Sequence, residues 1–76
     1  MSCPVDLQRR IARIHVAAKR AAHDQRPRTA NEAHEAAMAE QHAYRASKAA
    51  HEGQCGFARR EALKATKRLR AWRKVR

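Results

Sequence analysis

Apolar residues recur at alternating spacings of three and four along three stretches of this chain, and this spacing constrains the fold more than any other feature. The first stretch carries Leu7, Ile11, Ile14, Ala18 and Ala21. The second carries Ala36, Ala39, Ala43, Ala46 and Ala50, and the third carries Ala58, Ala62, Ala65, Leu69 and Trp72. Such spacing places one apolar seam along one face of an α-helix. The sequence therefore predicts three amphipathic helices and no strands.

The ends of these helices are indicated by cap and turn residues. Pro4 suits a first helical turn, and the residue before Pro27 is pushed out of the α region. Thr29 and Glu32 have the spacing of a capping box, and Gly53 is a typical helix stop. From these signals we predict helices over residues 4–25, 30–52 and 57–76.

The predicted fold is all-α, an antiparallel helical hairpin followed by a basic third helix, in one small domain of residues 1–76. The third helix either folds back to complete a three-helix unit or projects as a free arm. A second stripe on the middle helix would allow it to pack on two sides; it consists of Ala30, Ala33, Ala37 and Tyr44.

The predicted core is thin, because the chain has only 76 residues and 18 of them are alanine. Chains of this size bury only about 60% of the surface that their unfolded form exposes. We therefore expect a homo-oligomer, most simply a homodimer through the alanine seam or the Leu/Ile seam.

Charge is distributed unevenly along the chain, as +5, −2 and +8 over residues 1–28, 29–53 and 54–76. In the last segment nine Lys or Arg residues oppose one acid, Glu61. A helix this cationic is strongly attracted to phosphate backbones, because each neutralised phosphate releases counterions. The predicted nucleic-acid-binding residues are Arg59, Arg60, Lys64, Lys67, Arg68, Arg70, Arg73 and Lys74. Further cations are expected to assist them: Arg9, Arg10, Arg13, Arg26 and Arg28.

Two other uses of the same charge are open at this point. The helices could dock on an acidic partner protein, as in a small adapter or inhibitor of phage or plasmid origin. The cations could also pair with the acids of the middle helix, Glu32, Glu35 and Glu40. In that second case the surface left for a ligand is smaller than nine residues.

Several classes of function are not favoured by the sequence. No apolar stretch approaches the length of a membrane span, and Arg9 and Arg10 follow without the apolar core of a signal peptide, so we expect a cytoplasmic protein and no membrane partner. No phosphate cradle or nucleophile motif is present, so we expect a non-enzymatic protein without a cofactor. Trp72 falls on the third seam, which favours packing over stacking on a base.

Two cysteines allow three states. In a reducing compartment Cys3 and Cys55 would ordinarily remain thiols. An antiparallel hairpin, however, brings both of them to the same end as His51, where a disulfide or a metal site could form. A metal would need a fourth ligand that the sequence does not supply, so we predict no metal site.

One segment resembles a known family. Residues 43–50, then Gly53, Cys55-Gly56-Phe57 and Arg70-Ala71-Trp72, are similar to the small-residue helix, cysteine turn and terminal Trp helix of ribosome modulation factor. The likeness covers about 30 residues, with Gly56 in place of the turn proline, a different spacing to Trp72 and no second Gly-Trp pair. Between the two nucleic acids, DNA and RNA, the resemblance favours RNA as the ligand.

Overall fold

Three helices make up the computed structural model, which describes residues 3–24 and 29–74. Helix α1 spans Val5–Ala22, α2 spans Ala30–His51 and α3 spans Cys55–Lys74. The all-α, three-helix prediction is confirmed, and α3 packs on the hairpin instead of projecting as a free arm. None of the described helices is long and apolar enough to cross a membrane.

Helix α1 begins directly after Pro4, whose φ of −53° already suits the helix. Asp6 in the first turn and Lys19 and Arg20 in the last turn complement the helix dipole. The helix ends at Ala22, three residues earlier than predicted. The predicted stop at residues 25–28 lies outside the described residues, as do the expected contributions of Arg26 and Arg28.

Helix α2 is capped at both ends by its own sequence. The Thr29 hydroxyl oxygen accepts a hydrogen bond from the Glu32 backbone N–H at 3.2 Å, which is one half of the predicted capping box. At the other end Gly53 has a φ of 77°. The Gln54 N–H donates to the Ala49 carbonyl at 2.9 Å and the Gly53 N–H to the Ala50 carbonyl at 3.2 Å. This is a Schellman ending, and it reverses the chain within a few residues.

Helix α3 begins at Cys55, two residues earlier than predicted. A single left-handed residue, Gly53, completes the turn, so Gly56 is free to adopt helical geometry. The Gln54 carbonyl then accepts the first helical hydrogen bond, from the Ala58 N–H at 2.9 Å. The second glycine of the loop signal therefore belongs to the helix.

The core consists of the three predicted seams. Near the Cys3 end, Leu7 and Ile11 of α1 pack with alanines of α2 and α3. Near the other end, Ala18 and Ala21 pack with Ala36, Ala39, Ala43, Ala65 and Leu69, and half-buried Trp72 packs against this group. Ile14 contacts both clusters. These contacts run α1 antiparallel to α2, and α3 antiparallel to α2 and parallel to α1.

The order of packing makes α2 the central element. It contacts both α1 and α3 extensively, whereas α1 and α3 contact each other least. Its second stripe does not take part, because Ala30, Ala33, Ala37 and Tyr44 are exposed. Backbone atoms extend over 43 × 17 × 15 Å, the shape of a short rod.

A disulfide joins Cys3 to Cys55, with 5.5 Å between their Cα atoms. It links the start of α1 to the start of α3, which are separated by 52 positions in the sequence. Of the three states open to these cysteines, the structure shows the bridged one.

Candidate nucleic-acid interface

The predicted cations of α3 differ in exposure. Six of them point to solvent: Arg59, Arg60, Lys64, Lys67, Arg70 and Arg73. Arg68 is half-buried. Lys74 ends α3, and its side chain lies outside the described residues. Because α3 packs along one face, its cations fall on two flanks, one toward α2 and one toward α1.

On the α2 flank, two cations of α3 pair with acids of the chain. Arg68 Nη1 donates to both carboxylate oxygens of Glu35, at 3.1 and 3.2 Å. Lys64 Nζ lies 3.5 Å from Glu61 Oε2. These two members of the predicted site are therefore engaged with acids of the fold.

Among the acids of this flank, Glu61 lies close to the largest number of basic side chains. It is only 3% exposed, and its carboxylate lies 3.2 Å from His42 Nδ1 and 3.8 Å from Arg45 Nη1, both on α2. The expectation that α2 supplies the competing acids holds for Glu35, but Glu40 lies 3.3 Å from His23 Nε2 on the α1 side. Two acids of this flank each pair with one α3 cation, Glu35 with Arg68 and Glu61 with Lys64.

On the α1 flank, the two parallel helices form a groove with arginines on both walls. A first hollow, near the disulfide, is lined by Leu7, Arg10, Arg59, Ala62 and Leu63. A second, further along, is lined by Arg13, Ile14, Ala17, Thr66, Leu69, Arg70 and Arg73. We call this feature the arginine groove, defined by Arg10 and Arg13 on the α1 wall and Arg59, Arg70 and Arg73 on the α3 wall.

Charge in the arginine groove is not balanced by neighbouring acids. Within the described residues, no Asp or Glu lines either hollow, and none of the five arginines forms an ion pair. Arginine stays protonated at all physiological pH values, so the groove keeps its full positive charge. An anion that enters it would meet several unpaired guanidinium groups at once.

The size of the groove suits an extended ligand. The two hollows enclose only about 130 and 270 Å³, below the usual range for pockets that hold a small molecule. From Arg59 to Arg73 the helix rises about 21 Å, and one strand of a duplex presents a phosphate about every 3.4 Å of its axis. The groove therefore has the length of roughly six phosphates.

The structure brings together only some of the predicted binding residues. Arg59, Arg70 and Arg73 come together with Arg10 and Arg13, which the sequence named only as assisting cations. Arg60 and Lys67 are exposed and form no ion pair in the described part of the chain. Lys67 lies on the α2 flank, where it lines a hollow with Lys64 and Arg68. Leu63 lines the first hollow and is 58% exposed, an apolar side chain among the cations of α3.

The two cysteine sulfurs that a metal would need are bonded to each other in this structure. Across residues 3–24 and 29–74, no three His, Cys, Asp or Glu side chains are grouped so that they could hold a metal ion.

Comparison with known proteins adds no relative. No family model, curated protein or solved structure matches this chain. The resemblance of residues 43–72 to ribosome modulation factor therefore stays a prediction from a few residues.

Proposed function

We propose that this protein binds nucleic acid, either free or within a ribonucleoprotein, and carries out no chemistry on it. One observation supports the proposal most strongly: the five arginines of the arginine groove line two hollows between α1 and α3, and none of the described residues that line them is an acid. The exposed cations Arg60 and Lys67 extend the same charge around α3.

Arginine chemistry favours a phosphate ligand. The guanidinium group is planar and donates hydrogen bonds in a fork that matches two oxygens of a phosphate. Each phosphate that is neutralised also releases condensed counterions, which gives a favourable entropy at low salt. Among the described residues no Asn or Gln lines either hollow, and arginine can contact both phosphates and guanine edges. The contacts proposed here are those to the phosphate backbone.

The side chains of the groove also favour binding over catalysis. Its charged groups are all guanidinium groups, which donate hydrogen bonds but do not accept a proton at neutral pH. A ligand is held there, but general base catalysis has no group to perform it.

A salt titration tests the proposal. We expect labelled duplex DNA or single-stranded RNA to bind at low ionic strength, with an affinity that falls linearly on logarithmic axes as salt rises. The double variant Arg59→Ala/Arg70→Ala should flatten the slope by about 1.8 on a duplex, because two phosphate contacts are lost.

The matched control removes two exposed lysines away from the groove, Lys19→Ala/Lys48→Ala. It carries the same net charge as the arginine variant and should keep most of the wild-type slope. Absence of binding to DNA and RNA at low salt, or equal slopes in the two variants, would refute the proposal.

A second candidate function is docking on an acidic partner protein. The exposed Leu63 favours it, because an apolar side chain beside Arg10 and Arg59 suits an amphipathic acidic helix better than a phosphate chain. Such a complex would be recovered with one stoichiometric protein, and Leu63→Ala would weaken it while leaving nucleic-acid binding unchanged.

The proposal places the protein in the cytoplasm, where its ligand is abundant. We also retain a homo-oligomer as a proposal, although the seams expected to form it are buried within one chain. The exposed stripe Ala30, Ala33, Ala37 and Tyr44 offers one surface for it.

A further inference from the structure

The disulfide lies at one end of the arginine groove and connects its two walls. Cys3 precedes the α1 wall, which carries Arg10, and Cys55 lies one helical turn before Arg59 on the α3 wall. The bridge therefore fixes the distance between the walls at the point where the groove begins.

Direct contacts between the two walls are few in the described part of the chain. Of the three helix pairs, α1 and α3 contact each other least, since α2 lies between them in the packing order. Arginines of both walls line each hollow, Arg10 and Arg59 the first and Arg13, Arg70 and Arg73 the second, and like charges on facing walls repel one another. Apolar contacts oppose the repulsion near the bridge, among Leu7, Ile11 and Ala62, and at the far end, where Ala18 and Ala21 share a cluster with Ala65 and Leu69. The disulfide adds a covalent link between the two walls.

We propose that the Cys3–Cys55 disulfide is a redox-sensitive clasp for the phosphate-binding groove. With the bridge closed, arginines of both walls contact one phosphate strand. With the bridge reduced, the α1 wall moves away from the α3 wall, and the contacts from Arg10 and Arg13 are lost. This inference rests on the proposed function, and it also accounts for a disulfide in a protein placed in the cytoplasm, where such bonds are mostly transient or redox-sensing.

The redox step is a thiol–disulfide exchange with a small cellular thiol. Its thiolate attacks Sγ of Cys55, the half-buried member of the pair, and Cys3 leaves as a thiolate. A second small thiol then attacks the mixed disulfide and releases Cys55. In total two electrons and two protons pass to the protein, one protein S–S bond becomes two thiols, and two small thiols become one disulfide. Closure is the reverse reaction with that small disulfide as the oxidant.

The test measures binding of one probe to the full chain in two redox states. The probe is a fluorescein-labelled polyuridine strand of about 16 nucleotides, followed by fluorescence anisotropy. Measurements at about 10 °C keep the protein near its temperature of maximum stability. We expect dithiothreitol to weaken binding on the order of tenfold at 0.1 M salt, because two phosphate contacts are lost.

Two variants separate the clasp from a general loss of structure. Cys3→Ser cannot form the bridge, so it should bind like the reduced protein whether or not reductant is present. Arg10→Gln/Arg13→Gln has lost the α1 contacts already, so reduction should change its affinity less than about twofold. Far-UV circular dichroism on the same samples reports whether the helices persist.

Binding and helicity, measured together in both redox states, decide whether the disulfide acts as a clasp. Weaker binding of the reduced protein at unchanged helicity, with an insensitive Arg10→Gln/Arg13→Gln variant, supports the clasp. Equal binding of the oxidised and reduced proteins overturns the clasp and leaves the proposed function intact. A loss that accompanies loss of helicity, or that is equally large in the arginine variant, also overturns it. No binding of the oxidised protein at low salt refutes the proposed function itself.

Discussion

Arg68 donates two hydrogen bonds from Nη1 to the Glu35 carboxylate, at 3.1 and 3.2 Å, and so connects α3 to α2. Arg70 lies two residues further along the same helix, faces α1 and has no acidic partner in the described part of the chain. Two neighbouring arginines of one helix thus have different roles, because they lie on opposite flanks.

This difference predicts unequal effects on binding. Arg70→Ala should flatten the salt dependence of duplex binding by about 0.9, since one phosphate contact is lost. Arg68→Ala should change the slope by less than about 0.3, because its charge is already neutralised by Glu35. Salt titrations of the two variants under identical conditions provide the measurement, and a larger effect for Arg68→Ala would contradict this assignment.

Glu61 should matter for stability far more than Glu35. Glu61→Gln leaves a buried position without the negative charge that faces His42, Lys64 and Arg45, and we expect a loss of about 1 to 3 kcal/mol in the free energy of unfolding. Glu35→Gln breaks a partly exposed ion pair and should cost about 0 to 1 kcal/mol. Urea denaturation of both variants measures these costs, and similar values for the two would show that burial of Glu61 is not decisive.

The two glycines should respond to alanine in opposite directions. Gly53→Ala forces a side chain into a φ of 77°, which costs about 1 to 2 kcal/mol. Gly56→Ala replaces a helical glycine whose added Cβ would meet nothing within 4 Å, and should stabilise the protein by about 0.5 to 1 kcal/mol. Thermal unfolding of both variants tests the pair. Destabilisation by Gly56→Ala would place α3's start later than the structure does.

Reduction of the disulfide should lower stability independently of any effect on binding. Closing a loop of 52 positions restricts the unfolded chain by about 4 kcal/mol. For a domain of this size the loss corresponds to a fall in Tm of about 15 to 30 °C. Thermal unfolding with and without dithiothreitol measures it, and Cys3→Ser should unfold at the lower temperature in both conditions. A Tm that does not respond to reductant would mean that the bridge is absent in solution.

Periodicity was sufficient to predict the helices and their buried faces. Ala43 and Ala46 are fully buried on the seam of α2, and Leu69 is buried on the seam of α3. Heptad spacing is a local property of the sequence, so it can be identified without knowledge of the neighbouring helices. Helix α3 begins two residues before its predicted start, because a Gly-x-x-Gly segment does not reveal which glycine adopts positive φ.

The division of the cations could not be predicted in the same way. Whether Arg68 or Arg70 meets an acid depends on how α3 is rotated against α2, and that rotation is set by packing at Ala58, Ala62 and Ala65. Likewise the arginine groove lies between α1 and α3, which are not consecutive in the sequence. The spacing of residues along the chain does not predict such a contact.

The alanine seam of α2 has one more consequence. Methyl groups let the helices approach so closely that no large side chain of the described residues is fully buried. A molecule packed in this way has almost no space for a ligand in its core. Ligands must therefore be recognised on its surface. Binding there depends on which side chains are neighbours and on how firmly adjacent helices are held together.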